Sequence, residues 1–305
     1  MTEQPTVAVA GLGKMGEAIA ERIFDAGYPL NVFNRTPERA DSLARRGAAV
    51  LASAAETLAS ADVCVTMLAD DAALEAIVLA DDGVLAGARP GTVLVDMSTV
   101  SIAVSRRVAE RASERGVGYL RAPVSGNPTV VRGGTLTIVV SGPRDVAHRV
   151  DGLLHAIGPK VVHVGTADEA RAVKLVLQIL IGGTAELLSE ALVLGEASGV
   201  DRAALLEVIC SSAAGSPFVG YKTAPLLADD YSATFTTAMM LKDVDLVLDA
   251  AVEAEVSLPF TERLRPLLVE CAERGYADKD FMALFLLLQE ATDSDSTATQ
   301  GQVRQ

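Results

Sequence analysis

The chain is poor in three kinds of residue, and each shortage closes off a class of chemistry. It has only three cysteines in 305 residues. Cys64, Cys210 and Cys271 lie far apart in apolar surroundings, without metal-ligand spacing or a paired disulfide pattern, which fits a reducing cytosol. Histidine is as scarce: His148, His155 and His163 form no triad-like or metal-like set, so no metal site is expected. Positive charge is also short, with 26 Lys and Arg against 40 Asp and Glu, a net charge of −14. That balance argues against nucleic acid or an anionic membrane as partner, and any anionic ligand must be met by local positive groups. The excess carboxylates show no paired arrangement of a hydrolytic kind. Long apolar runs are missing too. The longest, Ala172 to Ala185, contains Lys174, Gln178 and two glycines. It reads as too short and too polar for a membrane span of about 20 residues. A strand pattern begins almost at the first residue, leaving no room for a signal peptide, so a cytoplasmic location is expected.

What is present begins at residue 6. A β-branched and alanine run, Thr6 to Ala10, leads into Gly11-Leu12-Gly13-Lys14-Met15-Gly16. An amphipathic helix pattern follows and stops at Gly27, and a second apolar run, Leu30 to Phe33, ends at Asn34-Arg35-Thr36. This is the βαβ opening of a dinucleotide site. Gly11 permits the tight turn, Gly13 lets a pyrophosphate approach the backbone, and Gly16 allows close helix packing. The helix N-terminus offers N–H groups and a positive dipole end. A site that prefers NAD usually carries a carboxylate after the second strand. Position 34 holds Asn and position 35 Arg, which predicts NADP(H) over NAD(H), because a guanidinium binds a 2′-phosphate that a carboxylate would repel. The competing reading makes Arg35 a solvated turn residue.

Further strand-like runs cover Val63–Leu68, Thr92–Asp96, Gly118–Ala122, Leu136–Ser141 and Lys160–Val164, with helical stretches at Ala72–Leu79 and Ile102–Arg115. Alternating strands and helices predict a parallel, doubly wound α/β sheet of Rossmann type. After about residue 165 the strands cease. Helical patterns follow at 170–199, 201–212, 219–228, 236–255, 259–274 and 278–290. The expected organisation is a cofactor domain at 1–165 and an all-α domain at 166–290, joined by the long helix, with a disordered tail at 291–305. Half the residues are hydrophobic, and the length suffices for two cores.

Four clusters carry candidate chemistry. Lys174 is the one charge between Arg171 and Glu186 in an apolar helix. There it is either a desolvated general acid/base or a lysine snorkelling from a helix start. Gln178 lies one turn further on the same face. Asp96-Met97-Ser98-Thr99 sits at a strand's C-terminal end, where its hydroxyls either meet a ligand or cap the next helix. Ala122-Pro123-Val124-Ser125-Gly126-Asn127 is either a carboxylate-binding turn or an ordinary one. Lys242-Asp243 emerges from an apolar helix face.

These clusters, together with GLGKMG (11–16), TML (66–68), GGTLTIVVSG (133–142), SEAL (189–192) and F-x₆-KD (235–243), resemble the β-hydroxyacid dehydrogenase family, which includes 3-hydroxyisobutyrate dehydrogenase, over roughly residues 5–290. The resemblance implies an NADP-dependent oxidoreductase that interconverts a short β-hydroxy acid and its semialdehyde or keto acid. It implies that Lys174 is the catalytic acid/base, that Ser125 and Gly126, with Asn127 beside them, bind the substrate carboxylate, and that Gln178 faces the substrate. It further implies that Ser98 and Thr99 meet the nicotinamide and substrate region, that Leu68 and Ala69 line the cofactor, and that Lys242 contacts it. The chain departs from the family pattern at Asn127 (usually Gly), Arg121 (usually acidic), Ala69 (usually Pro) and 165–170 (usually glycine-rich). An imine or ketone reductase with the same cofactor is the alternative, although imine-reducing relatives generally lack the lysine. A cofactor-binding scaffold would not need it. The apolar helical half predicts a homodimer or homotetramer.

Overall fold

A computed structural model of the chain describes residues 4–292. Ala291 and Thr292, expected at the start of an irregular tail, still belong to a helix; the rest of that expected tail, 293–305, lies outside the described residues. The chain divides into two units, Met1–Leu175 and Val176–Gln305.

The N-terminal unit is built on one sheet. Its strands are β1 (Val7–Ala10), β2 (Leu30–Phe33), β3 (Ala49–Val50), β4 (Val63–Thr66), β5 (Val93–Asp96), β6 (Gly118–Arg121), β7 (Val124–Ser125), β8 (Thr137–Ser141) and β9 (Lys160–Gly165). The order is β3-β2-β1-β4-β5-β6-β8-β7, with β9 beside β8. The first six positions of that order are all parallel. Their strands are apolar at consecutive positions because helices cover both faces. Val7, Val9, Val63, Val65, Val93 and Val95 pack with Ala18, Ile19 and Ile23 of the helix Lys14–Asp25. The alternate residues Ala8, Ala10, Cys64 and Leu94 pack with Val104 and Val108 of the helix Ile102–Glu114. The pleat sends neighbours to opposite faces, so one run of four residues serves two cores.

The sheet is mixed rather than wholly parallel. β8 runs antiparallel to β6 and β7, with Val124 opposite Ile138 and Ser125 opposite Thr137. Between β7 and β8 there is only the five-residue helix Pro128–Arg132, not the longer crossover helix that usually links parallel neighbours. The helices Arg144–Arg149 and Asp151–Ile157 then return the chain, and β9 pairs parallel to β8.

The helix Glu169–Ala197 begins in the N-terminal unit and continues through the second. The C-terminal unit adds helices Arg202–Ser211, Pro217–Leu227, Thr237–Glu253, Pro259–Cys271 and Phe281–Thr292. Side-chain caps fix four of the starts: Asp201 accepts from Ala203 N, Ser216 from Val219 N, Thr236 from Met239 N and Asp280 from Met282 N. Leu188, Leu192, Leu206, Phe218, Met240, Leu268 and Phe285 form its core. The apolar run expected to be too short for a membrane span is part of a 29-residue helix that is long and apolar enough by length and composition, with an 18-residue window of mean hydropathy 1.5. Buried polar residues Gln178, Glu186 and Ser189 interrupt it, and Leu188 and Leu192 pack in the core.

Candidate active site

Because β1, β2, β4 and β5 are parallel and in register, their C-terminal ends share one edge of the sheet, and most predicted residues of the N-terminal unit gather there. Gly11 follows β1 with φ +97°, and a Cβ on it would stand 2.5 Å from the Met67 carbonyl oxygen. A Cβ on Gly16 would meet the Gly11 carbonyl oxygen at 1.9 Å, so the turn and the helix start touch backbone to backbone. Gly13 differs: a Cβ there would meet nothing within 4 Å. Gly13 is also the N-cap of the helix Lys14–Asp25 and supplies no side-chain cap. Open space over an uncapped helix N-terminus fits a bound pyrophosphate. Leu12 is buried in the core, Met15 packs against it, and Lys14 is exposed.

Asn34 supports this loop. Its Oδ1 accepts the Leu12 N–H at 2.8 Å, and its Nδ2 donates to the Thr36 carbonyl at 2.9 Å. One amide side chain thus locks the glycine loop to the turn after β2. Arg35 and Thr36 are exposed beside it. Leu68 lies against Gly11, half-buried, and Ala69 is exposed. Ser98 is fully buried; its hydroxyl accepts the Leu68 N–H at 2.9 Å, so it braces the end of β4. Thr99 next to it is half-buried. The following helix is capped by Ser101, whose hydroxyl accepts from Val104 N, so neither Ser98 nor Thr99 is that cap.

Lys174 is half-buried and its Nζ donates to the Val124 carbonyl at 3.1 Å. This places the ammonium beside the Ser125-Gly126 turn. Gly126 has φ +147°, and a Cβ there would meet Val130 Cγ1 at 2.8 Å, so the turn admits no side chain. The Asn127 side chain holds the next segment: its Oδ1 accepts the Val130 N–H at 3.0 Å and caps the helix Pro128–Arg132.

Sequence reading missed the charges beneath Lys174. Arg171, one turn earlier, is only 1 % exposed. Its guanidinium pairs with Asp96 and donates to the Ser98 carbonyl (2.6 Å), the Tyr119 hydroxyl (3.1 Å) and the Ser105 hydroxyl (3.2 Å). Asp96 also accepts from Thr66 Oγ1 (2.8 Å) and Ser98 N (3.1 Å). Burial works against the Arg171 charge, but Asp96 and Tyr119 together more than offset this and hold its pKa above the ordinary value. Burial also pushes the Tyr119 hydroxyl up, so it stays protonated. An aspartate ending a strand and an arginine opening an apolar helix were the available signals, but they are 75 residues apart.

Two departures from the family pattern answer each other. Buried Arg121 pairs with Asp168 at 2.7 Å and stacks on Tyr119, and Arg106 holds the other Asp168 oxygen at 2.7 Å. Where the family has a glycine-rich loop, Glu169 accepts from Ala167 N (2.7 Å) and Ser141 Oγ accepts from Ala170 N (3.1 Å), fixing the helix start by side chains.

In the C-terminal unit, Gln178 and Lys242 converge on one carboxylate. Gln178 Nε2 donates to Asp243, and Lys242 Nζ lies 2.7 Å from Asp243 Oδ1. Gln178 and Asp243 are buried, while Lys242 is 27 % exposed. Cys64, inside β4, is no nucleophile for this edge: it is buried, and burial pushes its thiol up to about 12.

Residues 6–165 match the family described as the NAD binding domain of 6-phosphogluconate dehydrogenase, and residues 169–288 match the one described as NAD-binding of NADP-dependent 3-hydroxyisobutyrate dehydrogenase. The NAD-dependent L-serine dehydrogenase of Pseudomonas aeruginosa is 33 % identical over 90 % of this chain and 95 % of its own length. The solved 3-hydroxyisobutyrate dehydrogenase of Mycobacterium tuberculosis, determined with L-serine, is 30 % identical with a TM-score of 0.83, covering 94 % of this chain and 99 % of that one. An imine reductase from Pseudomonas sp. is 25 % identical with a TM-score of 0.63, covering 93 % and 99 %. Two nicotinamide-binding family matches across both units and these relatives make the chain an oxidoreductase of the β-hydroxyacid dehydrogenase family.

Proposed function

We propose that the protein interconverts a short β-hydroxy acid and its semialdehyde or keto acid, with NADP(H) preferred over NAD(H) and Lys174 as the acid/base. The observation that carries this is the Lys174 ammonium held 3.1 Å from the Val124 carbonyl, beside a turn that only glycine fits. The bound nicotinamide would supply or accept the hydride. Lys174 protonates the carbonyl oxygen in reduction and accepts the hydroxyl proton in oxidation. Ser125 and the Gly126 backbone orient the substrate carboxylate, with Asn127 fixing the turn from behind. Gln178 orients the substrate and Lys242 contacts the cofactor, both held by Asp243. Gly11 to Gly16, Asn34 to Thr36, Leu68, Ala69 and Thr99 hold the cofactor, and Ser98, next to Thr99 beyond β5, serves the substrate side. L-serine and 3-hydroxyisobutyrate, the compounds in the relatives' names, share a carboxylate and a hydroxyl on the β-carbon, which supports that substrate class.

Support for NADP(H) comes from charge: Asn34 occupies the place of the usual carboxylate and Arg35 is exposed next to it. Residues 1–165 serve the cofactor and 166–290 the substrate and subunit contacts, in the cytoplasm. Val176, Leu180, Leu187 and Leu194 form one stripe along the long helix, each more than half exposed, which supports a homodimer or homotetramer. Light scattering that gives a monomer's mass would remove that part.

The test is a panel assay: NADP⁺ and NAD⁺ reduction with 3-hydroxyisobutyrate, L-serine, 3-hydroxypropionate, glycerate and threonate, and NADPH oxidation with the matching aldehydes and with 2-methyl-1-pyrroline. Turnover of a β-hydroxy acid with higher kcat/KM for NADP⁺ is expected. Turnover of the cyclic imine alone would favour the second reading, which the imine reductase likeness supports.

A further inference from the structure

We propose that Arg171 is the positioning residue for Lys174, clamping the first turns of the lysine's helix onto the strand ends that serve the cofactor. The inference rests on the acid/base reading of Lys174 given above.

Arg171 and Lys174 are three residues apart on one helix and therefore neighbours on its surface. The guanidinium reaches four partners on three segments: Asp96 and Ser98 at the end of β5 and just beyond it, Ser105 in the helix Ile102–Glu114, and Tyr119 in β6. Ser98 and Asp96 continue the network to Leu68 N and Thr66 Oγ1 at the end of β4. Every one of these residues is buried except Leu68. Arg171 thus joins the helix that carries the proton donor to the segments that carry the nicotinamide-side residues. Only a planar fork with five donors meets such a set at once, and lysine presents its three donors from a single point. A buried ion pair is weak evidence for added stability, because desolvation offsets most of its attraction. Fixing a geometry is the use left for it here. Misplacing a reacting group by about 1 Å costs roughly 10²-fold in rate.

The test is a double-mutant cycle of Arg171→Lys and Lys174→Ala, assayed with the most active acid of the panel, alongside two readouts that need no turnover. The first is the NADPH dissociation constant, read by fluorescence. The second is the labelling rate of Lys174 by trinitrobenzenesulfonate, read by peptide mass spectrometry. Arg171→Lys is expected to lower kcat by about 10- to 100-fold, to leave NADPH affinity within about twofold, and to speed Lys174 labelling. In the Lys174→Ala background it is expected to cause no further loss. Unchanged kcat, an equal loss in the Lys174→Ala background, or unchanged labelling would overturn the proposal. Retained kcat in Lys174→Ala alone would instead refute the acid/base reading, leaving the labelling rate to report on the clamp. Should Arg171→Lys fail to fold, Tyr119→Phe removes one partner of the guanidinium, and the same readouts should shift in the same direction, more weakly.

Discussion

The glycine loop and the start of the long helix both present polar groups at one sheet edge, and they do so by opposite means. Gly11 to Gly16 offers bare backbone: no side chain caps the helix, and a Cβ at Gly13 would find open space. The Lys174 region offers a side chain, and buries a second charge beneath it to hold it still. The first device needs only local conformation, and at Gly11 and Gly16 it has no room for an added carbon. The second needs partners from several segments and tolerates no missing ones. Each is fragile in its own place: the loop to a carbon added at Gly11 or Gly16, the lysine site to loss of a distant hydrogen-bond partner.

Adding one carbon to the loop should have the largest effect on cofactor binding. Gly11→Ala forces a left-handed residue, costing about 1–2 kcal/mol, and drives a methyl group to 2.5 Å from the Met67 carbonyl. NADPH affinity should fall by ~100-fold, about 3 kcal/mol, in a fluorescence titration; near-normal affinity would show that the backbone is not the cofactor's cradle.

Glu186 sharpens the other side, as a buried carboxyl with one oxygen that finds no hydrogen-bond partner among the described residues. Burial, and then Glu190, raise its pKa to about 7. A raised carboxyl stabilises the fold relative to the charged form below the unfolded pKa, and that contribution is lost as pH climbs from about 4.5 through about 7. Glu186→Gln should therefore be more stable than the parent at pH 8 by about 2 kcal/mol, a difference that shrinks towards pH 5. Urea unfolding at the two pH values measures it, and an equal difference at both would mean that the carboxyl titrates normally. Arg35→Ala should weaken NADPH by about tenfold, ~1.4 kcal/mol, and leave NADH within twofold; equal losses would return Arg35 to the role of a turn residue. Asn127→Ala is the mildest: losing the cap on Pro128–Arg132 should cost about 1 kcal/mol in stability, with a KM increase for the acid and little change in kcat. Thermal unfolding and steady-state kinetics check the two parts, and an unchanged melting temperature would show that the cap carries no weight.

The same contrast explains what could be read from the residues alone. The glycine loop was legible because its geometry is local: Gly11 and Gly16 answer neighbours within the same few residues or the adjoining strand end. The parallel strands β1, β2, β4 and β5 were legible for a similar reason, since two covered faces demand continuous apolar runs. β3 and β7 span two residues each, too short to show a period. The reversal at β8 depends on what pairs with Val124 and Ser125, which no composition rule encodes. Lys174 stood out as a lone charge in an apolar helix, whereas Arg171 only marked the end of that uncharged stretch. Its partner Asp96 is 75 residues away, so the clamp became visible only when strand order brought the two together. Arg121 and Asp168 show the same limit: as single residues they were departures from a pattern, and as a pair they are an ion pair at 2.7 Å. Asn34 was noticed for the carboxylate it replaces, and not for the hydrogen bond by which it holds Leu12.

On the proposed reading the backbone loop binds the cofactor while Lys174 supplies the proton chemistry, and Lys174→Ala is the variant that separates the two roles. Its kcat and its NADPH dissociation constant are to be measured on the same preparation. A kcat lower by at least ~10³-fold is expected, with NADPH affinity within about twofold of the parent. A kcat near the parent's value would contradict that reading.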